Sequence, residues 1–460
     1  MGAPGEGSLA SGCVRTAVIV FTRDLRVTDH PALARALTDA EHVVPLFVFD
    51  DTILAGTFNA PNRTGFLLES LADLRAALLD LGGDLVLRRG RWVDEVMRVV
   101  ASVGAEAVFS SADVSAYAQA RERALRRACT DARVGCALLP GTTIVPPGTL
   151  TPGESDHYKV FTPYWRRWSE VPHRQLAPTP IRVRLPDGID TGSLPELADL
   201  VTGTRATDPM PGGTRAARAR LDAWAATSVA GYDNHHDDLP GDATSRLSPY
   251  LHFGCVSALE VTHAIFGKQG ADPFLRQLCW RDFYHQILAA RPDAAWNDYR
   301  PRGDHWNDDP AALAAWQEGR TGYPVVDAGM RQLAREGFMH NRARMIVASF
   351  LTKDLYIDWR TGAQHFLDHL LDGDIANNNL NWQWVAGTGT DTNPNRIFNP
   401  TVQGTRFDPD GDYVRRYVPE LAALRGAATH SPDAAVRRAY DYPDPIVDHH
   451  DAIAAYRARF

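Results

Sequence analysis

The segment TSRLS gathers three hydroxyl groups and one guanidinium within five residues. It precedes residues 249–253, whose composition is compatible with a helix. Hydroxyls, backbone N–H groups and arginine are the groups that bind phosphate. The same residue types also cap helices, and the pentapeptide alone favours that second interpretation. The candidate phosphate-binding residues are Thr244, Ser245, Arg246, Leu247 and Ser248.

A second segment, FLRQLCWRDFY, places an unusual set of side chains on one face of a predicted helix. An amide, an indole, a guanidinium and a phenol suit a core poorly, but they could stack on a planar ring and hydrogen-bond its edge. The alternative is an amphipathic surface helix. At helical spacing the shared face carries Gln277, Trp280, Arg281 and Tyr284.

A third segment, MHNRARM, opens an apolar helical pattern. Asn341, Arg344 and Met345 fall on one face of that helix. Arg342 points away from them, free to meet a backbone phosphate of a nucleic acid. A basic cap on a buried helix is the alternative.

The fourth segment, DGDIANNNLNWQW, has two acids and four asparagines within ten residues. If it is buried, its polar groups need partners, and a heteroaromatic cofactor with ring nitrogens and carbonyls would supply them. A polar surface loop is the alternative, but the apolar WQWVAG that follows favours burial. The residues of interest are Asp372, Asp374, Asn378, Trp382 and Trp384.

Metal ligation and disulfides are disfavoured. The pairs His235-His236 and His449-His450 have no HExxH or comparable ligand spacing, so we interpret them as solvated turn residues and expect no metal. The five cysteines form no CxxC pair, which favours a reducing cytoplasm. No apolar run approaches the ~18 residues of a membrane span.

The composition is that of a globular protein. The chain has 460 residues, 44% hydrophobic and 23% charged, which excludes disorder, collagen-like fibres and disulfide miniproteins. With 48 basic and 56 acidic residues the formal net charge is −8, so binding to nucleic acid would need a local basic patch. Seven of the eleven tryptophans lie from Trp280 onward.

The pattern of apolar runs predicts how these segments are positioned. Short apolar runs separated by helical patterns indicate a Rossmann-like α/β domain with a parallel sheet over residues 15–145. Proline and glycine then mark a linker over 146–213, which includes the aromatic patch Tyr158–Trp168. Helical patterns dominate residues 214–460, an all-α domain. Residues 1–14 are expected to be a flexible tail.

Taken together, these motifs resemble the photolyase/cryptochrome family, and within it the class I cyclobutane pyrimidine dimer photolyases of bacteria. The resemblance covers nearly the whole chain, from FTRDLRVTDHPAL to NPTVQGTRFDPDGDYVRRYVPEL. TSRLS, WRDF, HNRARM, DGDIANN and NWQW are specific in combination, order and spacing. Asn341 and Met345 match residues typical of the dimer repair enzymes.

The resemblance implies a non-covalent FAD in the helical domain. Asn378 matches the residue facing flavin N5, where an amide can hydrogen-bond without being an acid and so stabilise the reduced flavin. Arg344 and Asp372 match a pair beside the isoalloxazine. The other implied FAD contacts are Tyr232, Thr244, Ser245, Arg246, Leu247, Ser248, Arg281 and Asp374.

The resemblance also implies light-driven repair of DNA. The excited, fully reduced flavin donates an electron to a pyrimidine dimer flipped out of the duplex, the ring splits, and the electron returns. Trp382, Trp359 and Trp306 match the chain that carries electrons to the flavin, whereas Trp296 and Trp316 are assigned to the core. Implied substrate or DNA contacts are Gln277, Trp280, Tyr284, Asn341, Arg342, Met345, Trp384, Arg396 and Gln403.

This chain departs from the family's usual residues at two positions. Many bacterial relatives have Glu where this chain has Gln277, and (6-4) photolyases and cryptochromes tend to have Gln there. Asp282 replaces the usual Glu.

An antenna chromophore is expected in the N-terminal domain, with Asp113 matching the acidic residue of relatives that bind deazaflavin. This favours 8-hydroxy-5-deazaflavin over methenyltetrahydrofolate.

Alternatives remain open for the function. A cryptochrome-like FAD photoreceptor would bind the flavin without repair, and a (6-4) photolyase would act on another lesion. A nucleotide-binding scaffold protein would explain the N-terminal domain but not the polar run ending in Asn381. We expect a monomer that binds damaged DNA and no membrane.

Overall fold

The computed structural model describes residues 14–241 and 243–459. Apart from Val14, the predicted N-terminal tail lies outside the described residues. The chain forms two compact units. The first comprises residues 14–204, 211–229 and 245–295, and the second comprises 205–210, 230–244 and 296–459 within the described residues. The domain boundaries expected near residues 145 and 213 stay a prediction.

A five-stranded parallel sheet forms the centre of the first unit. Its strands are β1 (Val14–Phe21), β2 (Ala40–Asp50), β3 (Val86–Gly90), β4 (Ala107–Ser111) and β5 (Gly135–Leu139). They are arranged in the order β3-β2-β1-β4-β5, with all pairs parallel. Apart from Val14, the valine, isoleucine and phenylalanine side chains of β1 and β2 are buried on both faces of the sheet, as a sheet covered by crossover helices requires.

Helices surround this sheet and continue through the first unit. They are α1 (Pro31–Asp39), α2 (Asp51–Leu54), α3 (Pro61–Asp80), α4 (Trp92–Val103), α5 (Ala116–Ala132), α6 (Phe161–Trp168), α7 (Thr214–Thr227), α9 (Ser248–Phe253), α10 (Ala258–Ile265) and α11 (Ala271–Ala290). Trp92, Val96 and Val100 of α4 pack on the valines of β1 and β2 to form one core. The predicted α/β Rossmann-like fold of this region is confirmed.

The regular secondary structure of the second unit is helical, with no strand among its described residues. Its helices are α8 (Tyr232–His235), α12 (Pro310–Gln317), α13 (Pro324–Glu336), α14 (Asn341–Ser349), α15 (Trp359–His369), α16 (Ile375–Ala386), α17 (Pro400–Phe407), α18 (Asp412–Tyr417), α19 (Ala427–His430), α20 (Ala434–Ala439) and α21 (His449–Arg457). A π-helical turn, Phe350–Asp354, extends α14. The core packs side chains of α13 to α16 around Trp316, Trp359 and Trp382. No helix among the described residues is long and apolar enough to cross a membrane.

Candidate functional site

The TSRLS segment leads into α9 in a strained conformation. The N-cap position of α9 is occupied by Leu247, whose side chain makes no capping hydrogen bond, so the helix-cap interpretation is not what the structure shows. Arg246 has a backbone φ of 50°, the left-handed region that a non-glycine residue enters at a cost of about 1–3 kcal/mol. Ser245 is buried and its Oγ accepts from Leu247 N at 3.3 Å, while Ser248 is exposed. Strain of this kind is typical of a ligand-binding segment.

The predicted polar face of α11 is only partly presented to solvent. Gln277 is exposed and Trp280 is half-buried. Arg281 Nη1 donates to the carbonyl of Thr142 at 2.5 Å. Tyr284 is 2% exposed, which leaves its ring no free face for a base. Of the four residues, Gln277 and Trp280 are therefore the ones available to a large substrate.

Asp282, on the same helix, has a structural role that the sequence did not indicate. Its Oδ2 accepts hydrogen bonds from the backbone N–H groups of Ile144 and Val145 and from Trp168 Nε1, each at 3.0 Å. It thus ties α6 and the segment before it to α11. Burial raises the pKa of the Asp282 carboxyl to about 6, although these hydrogen bonds and the nearby Arg281 oppose that rise.

This raised pKa predicts a pH-dependent stability. Because the Asp282 pKa rises from 3.8 to about 6 on folding, the folded protein binds more protons than the unfolded chain between these values. The free energy of unfolding therefore falls as the pH rises from about 4 to about 6, and this contribution is constant above that range. We expect the free energy of unfolding of Asp282→Asn, measured with urea, to increase relative to that of the wild type as the pH rises from about 4 to about 6. A difference that does not vary with pH there would mean that Asp282 titrates normally.

In the second unit, α14 presents an arginine that pairs with a buried carboxylate. Arg344 Nη1 and Nη2 contact the two oxygens of Asp372 at 3.1 and 2.9 Å, a bidentate geometry. The Asp372 side chain is 4% exposed and that of Arg344 is 24% exposed. Arg344 Nε also donates to the carbonyl of Met339 at 2.8 Å. The predicted Arg344–Asp372 pair is thus formed, and it is rigidly oriented.

The Asn-rich segment is the helix α16 rather than a loop. Asp374 is its N-cap and accepts from Asn377 N at 2.8 Å. Asn378 is 8% exposed and donates through Nδ2 to the carbonyl of Ala363 at 3.1 Å and to Asn379 Oδ1 at 2.9 Å. Because both amide hydrogens are used inside the protein, the side-chain oxygen is the group that Asn378 can offer to a ligand.

The three tryptophans proposed to carry electrons belong to one hydrophobic cluster. Trp382 and Trp359 are 3% and 0% exposed, and Trp306 is partly buried against the same cluster. Trp359 Nε1 donates to Asp298 Oδ1 at 2.9 Å. Gly362 makes room for Trp382, because a Cβ there would lie 2.3 Å from the indole. Trp306 is thus the outermost of the three indoles, whereas Trp359 and Trp382 are enclosed.

The two other tryptophans behave differently from each other. Trp316 is fully buried, and its ring lies edge-on to Trp382 with the centroids 6.1 Å apart. Trp296 is 39% exposed, so its assignment to the core was wrong. The residues around Trp296 resemble a turn and show no regular spacing of apolar side chains, so the sequence did not indicate that this tryptophan is exposed.

The residues proposed for DNA contacts in the second unit are not equally available. The Arg342 guanidinium makes a bidentate pair with Asp237, with Nε 3.1 Å from Oδ1, so it is not the free cation that was expected. Arg396 is 44% exposed and pairs with Asp391 at 3.3 Å. Its Cζ lies 5.2 Å from the ring centroid of Trp384, a cation–π contact.

The remaining predicted residues of the second unit are placed as follows. Asn341 is exposed, and its Nδ2 lies 3.9 Å from Met345 Sδ, so these two side chains share a face as expected. Gln403 is half-buried on α17. Tyr232 is 7% exposed and stacks on His236 at 5.3 Å. Thr244 is half-buried.

Asp113 lies at the carboxyl edge of the parallel sheet. Strands β1 and β4 are neighbours from which the chain proceeds in opposite directions, the topological switch point where such folds bind ligands. Arg23, after β1, contacts Asp113, after β4, at 3.4 Å. Burial raises the pKa of Glu122, which accepts from Asp113 N, to about 7. Tyr117 bonds Asp50 at the end of β2.

The histidine pairs are not simply solvated. His449 bonds the buried carboxylate of Asp354, and His236 is the stacking partner of Tyr232. Within the described residues, no group of three or more His, Cys, Asp or Glu side chains could hold a metal. The four described cysteines are free thiols: Cys129, Cys136, Cys255 and Cys279.

Comparison with known proteins assigns the chain to a family. Residues 17–182 match the model described as DNA photolyase, and residues 274–460 match the FAD binding domain of DNA photolyase. The chain is 52% identical to the deoxyribodipyrimidine photo-lyase of Streptomyces griseus, over 96% of this chain and 98% of the relative.

Solved structures agree with this match. A bacterial class III photolyase from Agrobacterium tumefaciens superposes with a TM-score of 0.89 at 34% identity, covering 98% of both chains. A Synechocystis cryptochrome gives a TM-score of 0.89 at 28% identity, covering 98% of this chain and all of the other. The chain therefore belongs to the DNA photolyase family, with its Rossmann-like and helical FAD-binding domains.

Proposed function

We propose that this chain repairs cyclobutane pyrimidine dimers in DNA, using light and a bound, reduced FAD. The observation that carries the proposal is the 52% identity, over 96% of the chain, to a relative named deoxyribodipyrimidine photo-lyase. When bound and excited, reduced FAD supplies an electron to the dimer and takes it back after the ring has split. The residues of this chain hold the flavin and the lesion and conduct electrons to the flavin.

Three features of the chain fit FAD. The strained Ser245–Ser248 segment suits the phosphates, with Arg246 held at positive φ. The Arg344–Asp372 pair offers an oriented charged edge to the isoalloxazine. The Asn378 oxygen can accept a hydrogen bond from N5–H of the reduced ring. We also assign Tyr232, Thr244, Arg281 and Asp374 to the flavin.

The Asn378 assignment predicts a change in flavin stability. Replacing Asn378 with Asp introduces a titratable carboxylate beside the ring, and replacing it with Ser shortens the side chain and so withdraws its acceptor oxygen from the ring. Both changes should shorten the lifetime of the reduced flavin in air. The measurement is the return of oxidised-flavin absorbance after reduction. Asn381→Asp is the matched control, because Asn381 lies on the exposed side of the same helix. Reoxidation as slow as in the wild type would remove Asn378 from this role.

For the lesion, we propose that the Trp280 and Trp384 indoles stack on the flipped bases and that Gln277, Asn341 and Met345 also contact the lesion. Arg396 is the preferred phosphate contact, since its side chain is 44% exposed. Arg342 can take that role only by leaving Asp237, and Gln403 would lie near the strand. The Tyr284 ring is buried and does not stack on the lesion in this proposal. We expect a cytoplasmic monomer.

An antenna chromophore is proposed at the carboxyl edge of the sheet. Asp113, Arg23, Tyr117 and Glu122 converge there at the topological switch point. The chemistry of this set, with acids and a phenol beside one guanidinium, suits a polar planar chromophore, and we favour 8-hydroxy-5-deazaflavin. An absorbance band distinct from that of FAD in the purified protein would support it.

One observation favours a second candidate function, that of a (6-4) photolyase or a cryptochrome-like photoreceptor. Gln277 is exposed on α11 at a position where Gln resembles (6-4) photolyases and cryptochromes, and the chain is 28% identical to a cryptochrome structure. The test is to illuminate the reduced protein with two oligonucleotides, one bearing a cyclobutane dimer and one a (6-4) lesion. We expect loss of the cyclobutane dimer alone. Repair of the (6-4) lesion, or of neither, would favour the second candidate.

A further inference from the structure

The indole of Trp280 is covered on one face by a phenylalanine from α6. The rings of Phe161 and Trp280 are stacked with centroids 3.7 Å apart and an angle of 4° between the planes. Phe283 meets both rings edge-on, with its centroid 5.7 Å from that of Phe161 and 5.5 Å from that of Trp280. Phe161 itself is 6% exposed. The Tyr284 ring also lies beside the indole, with its centroid 5.6 Å away and its plane tilted by 33°. The indole is therefore held by one stacked ring and by two further aromatic contacts.

Two side chains of α11 hold the segment that carries Phe161. Asp282 accepts from Trp168 Nε1, at the far end of α6. Gln286 makes two hydrogen bonds with the backbone of Tyr158, donating to its carbonyl at 2.8 Å and accepting from its N–H at 2.9 Å. Because α6 is fixed at both ends, Phe161 is held rigidly against the Trp280 indole.

We propose that Phe161 is a positioning residue for damage recognition, which acts by fixing the Trp280 indole and reserving its opposite face for the pyrimidine dimer. The inference rests on the proposed function, in which Trp280 stacks on the lesion. An indole that is already fixed loses less conformational freedom when a base stacks on it, so more of the stacking energy appears as affinity. An indole stacked on Phe161 also offers a base one face only, which fixes the side from which the lesion enters.

The experiment measures dissociation constants in the dark for a duplex with one cyclobutane thymine dimer and for the same duplex without it. Phe161→Leu removes the aromatic ring, and Phe161→Tyr keeps it. Tyr164→Leu is the matched control, because Tyr164 lies on the same helix and packs on Phe283 and Tyr158 instead. FAD absorbance and thermal unfolding report the folded state, and Phe161→Met replaces Phe161→Leu if the latter does not retain FAD.

We expect Phe161→Leu to weaken binding of the dimer duplex about two- to tenfold, the value of one aromatic pair, and to leave binding of undamaged DNA unchanged. Phe161→Tyr and Tyr164→Leu should bind as the wild type does. In a Trp280→Leu background, Phe161→Leu should cause no further loss, since its effect passes through the indole. If Phe161 had a purely structural role, Phe161→Leu would instead weaken binding of both duplexes, or its effect would add to that of Trp280→Leu.

The outcomes separate this inference from the proposed function. If the wild type prefers the dimer duplex and Phe161→Leu keeps that preference, or if the two substitutions are additive, Phe161 does not position Trp280 and only this inference is overturned. If the wild type shows no preference for the dimer duplex, the proposed function and this inference are both overturned.

Discussion

Trp306→Phe is expected to slow photoreduction of the flavin by at least about tenfold, equivalent to about 1.4 kcal/mol in activation free energy. Trp306 is the partly buried outer member of the cluster in which Trp359 and Trp382 are fully enclosed. A phenylalanine keeps the packing but is far harder to oxidise than an indole, so the path that we propose from the surface would be interrupted at its outer end. The measurement is the loss of oxidised-flavin absorbance under blue light with an external reductant.

Repair by chemically pre-reduced Trp306→Phe should equal that of the wild type, because the chain of tryptophans is not needed once the flavin is reduced. Trp296→Phe is the matched control, since Trp296 is 39% exposed and has no place in the proposed path. Loss of repair together with photoreduction would show that Trp306 holds the fold or the lesion instead. Equal photoreduction in the wild type and Trp306→Phe would remove it from the path.

The second large effect is expected for Asp372→Asn. This change keeps the size of the side chain but leaves the Arg344 guanidinium, 24% exposed, without its counter-charge. We expect the free energy of unfolding to fall by about 2–3 kcal/mol, together with loss of FAD from the purified protein, because the charged edge that we propose for the flavin would no longer be oriented. Chemical unfolding and the ratio of flavin to protein absorbance measure the two effects.

A surface pair provides the control for Asp372→Asn. Asp39→Asn removes the partner of Arg35, which is 51% exposed on α1, and pairs of this kind are worth about 0–1 kcal/mol. If Asp372→Asn retains FAD and changes stability no more than Asp39→Asn, the Arg344–Asp372 pair does not organise the flavin site.

The sequence predicted those strands and helices whose apolar residues recur at regular spacing and are buried. The valine and isoleucine runs of β1 and β2 form parallel strands within residues 15–145, where the sheet was expected, and residues 214–227 form the helix α7 within the stretch of helical patterns. Strand β5, with the apolar sequence GCALL, lies at the edge of the sheet, where its residues are all only partly buried. Asparagine has a low helix propensity, which is why α16 could not be predicted as a helix although its burial was.

Pairing between distant residues limited the prediction of the site. The Arg344–Asp372 pair was expected only because the resemblance implied it. The Arg342–Asp237 pair spans 105 positions, and nothing local in either segment indicates it. Phe161 and Asp282 were missed for the same reason: an aromatic residue in a proline-rich linker and an acid on a helix acquire their roles only when α6 packs on α11.

The most direct test of the proposed function is the yield of repaired cyclobutane dimers per reduced flavin under blue light, without added reductant and without oxygen. Because the electron returns to the flavin in the proposed reaction, we expect many dimers to be split per flavin in the light, none in the dark, and the flavin to remain reduced. Repair that stops after one dimer per flavin, proceeds equally in the dark, or is absent would contradict light-driven dimer repair by this protein.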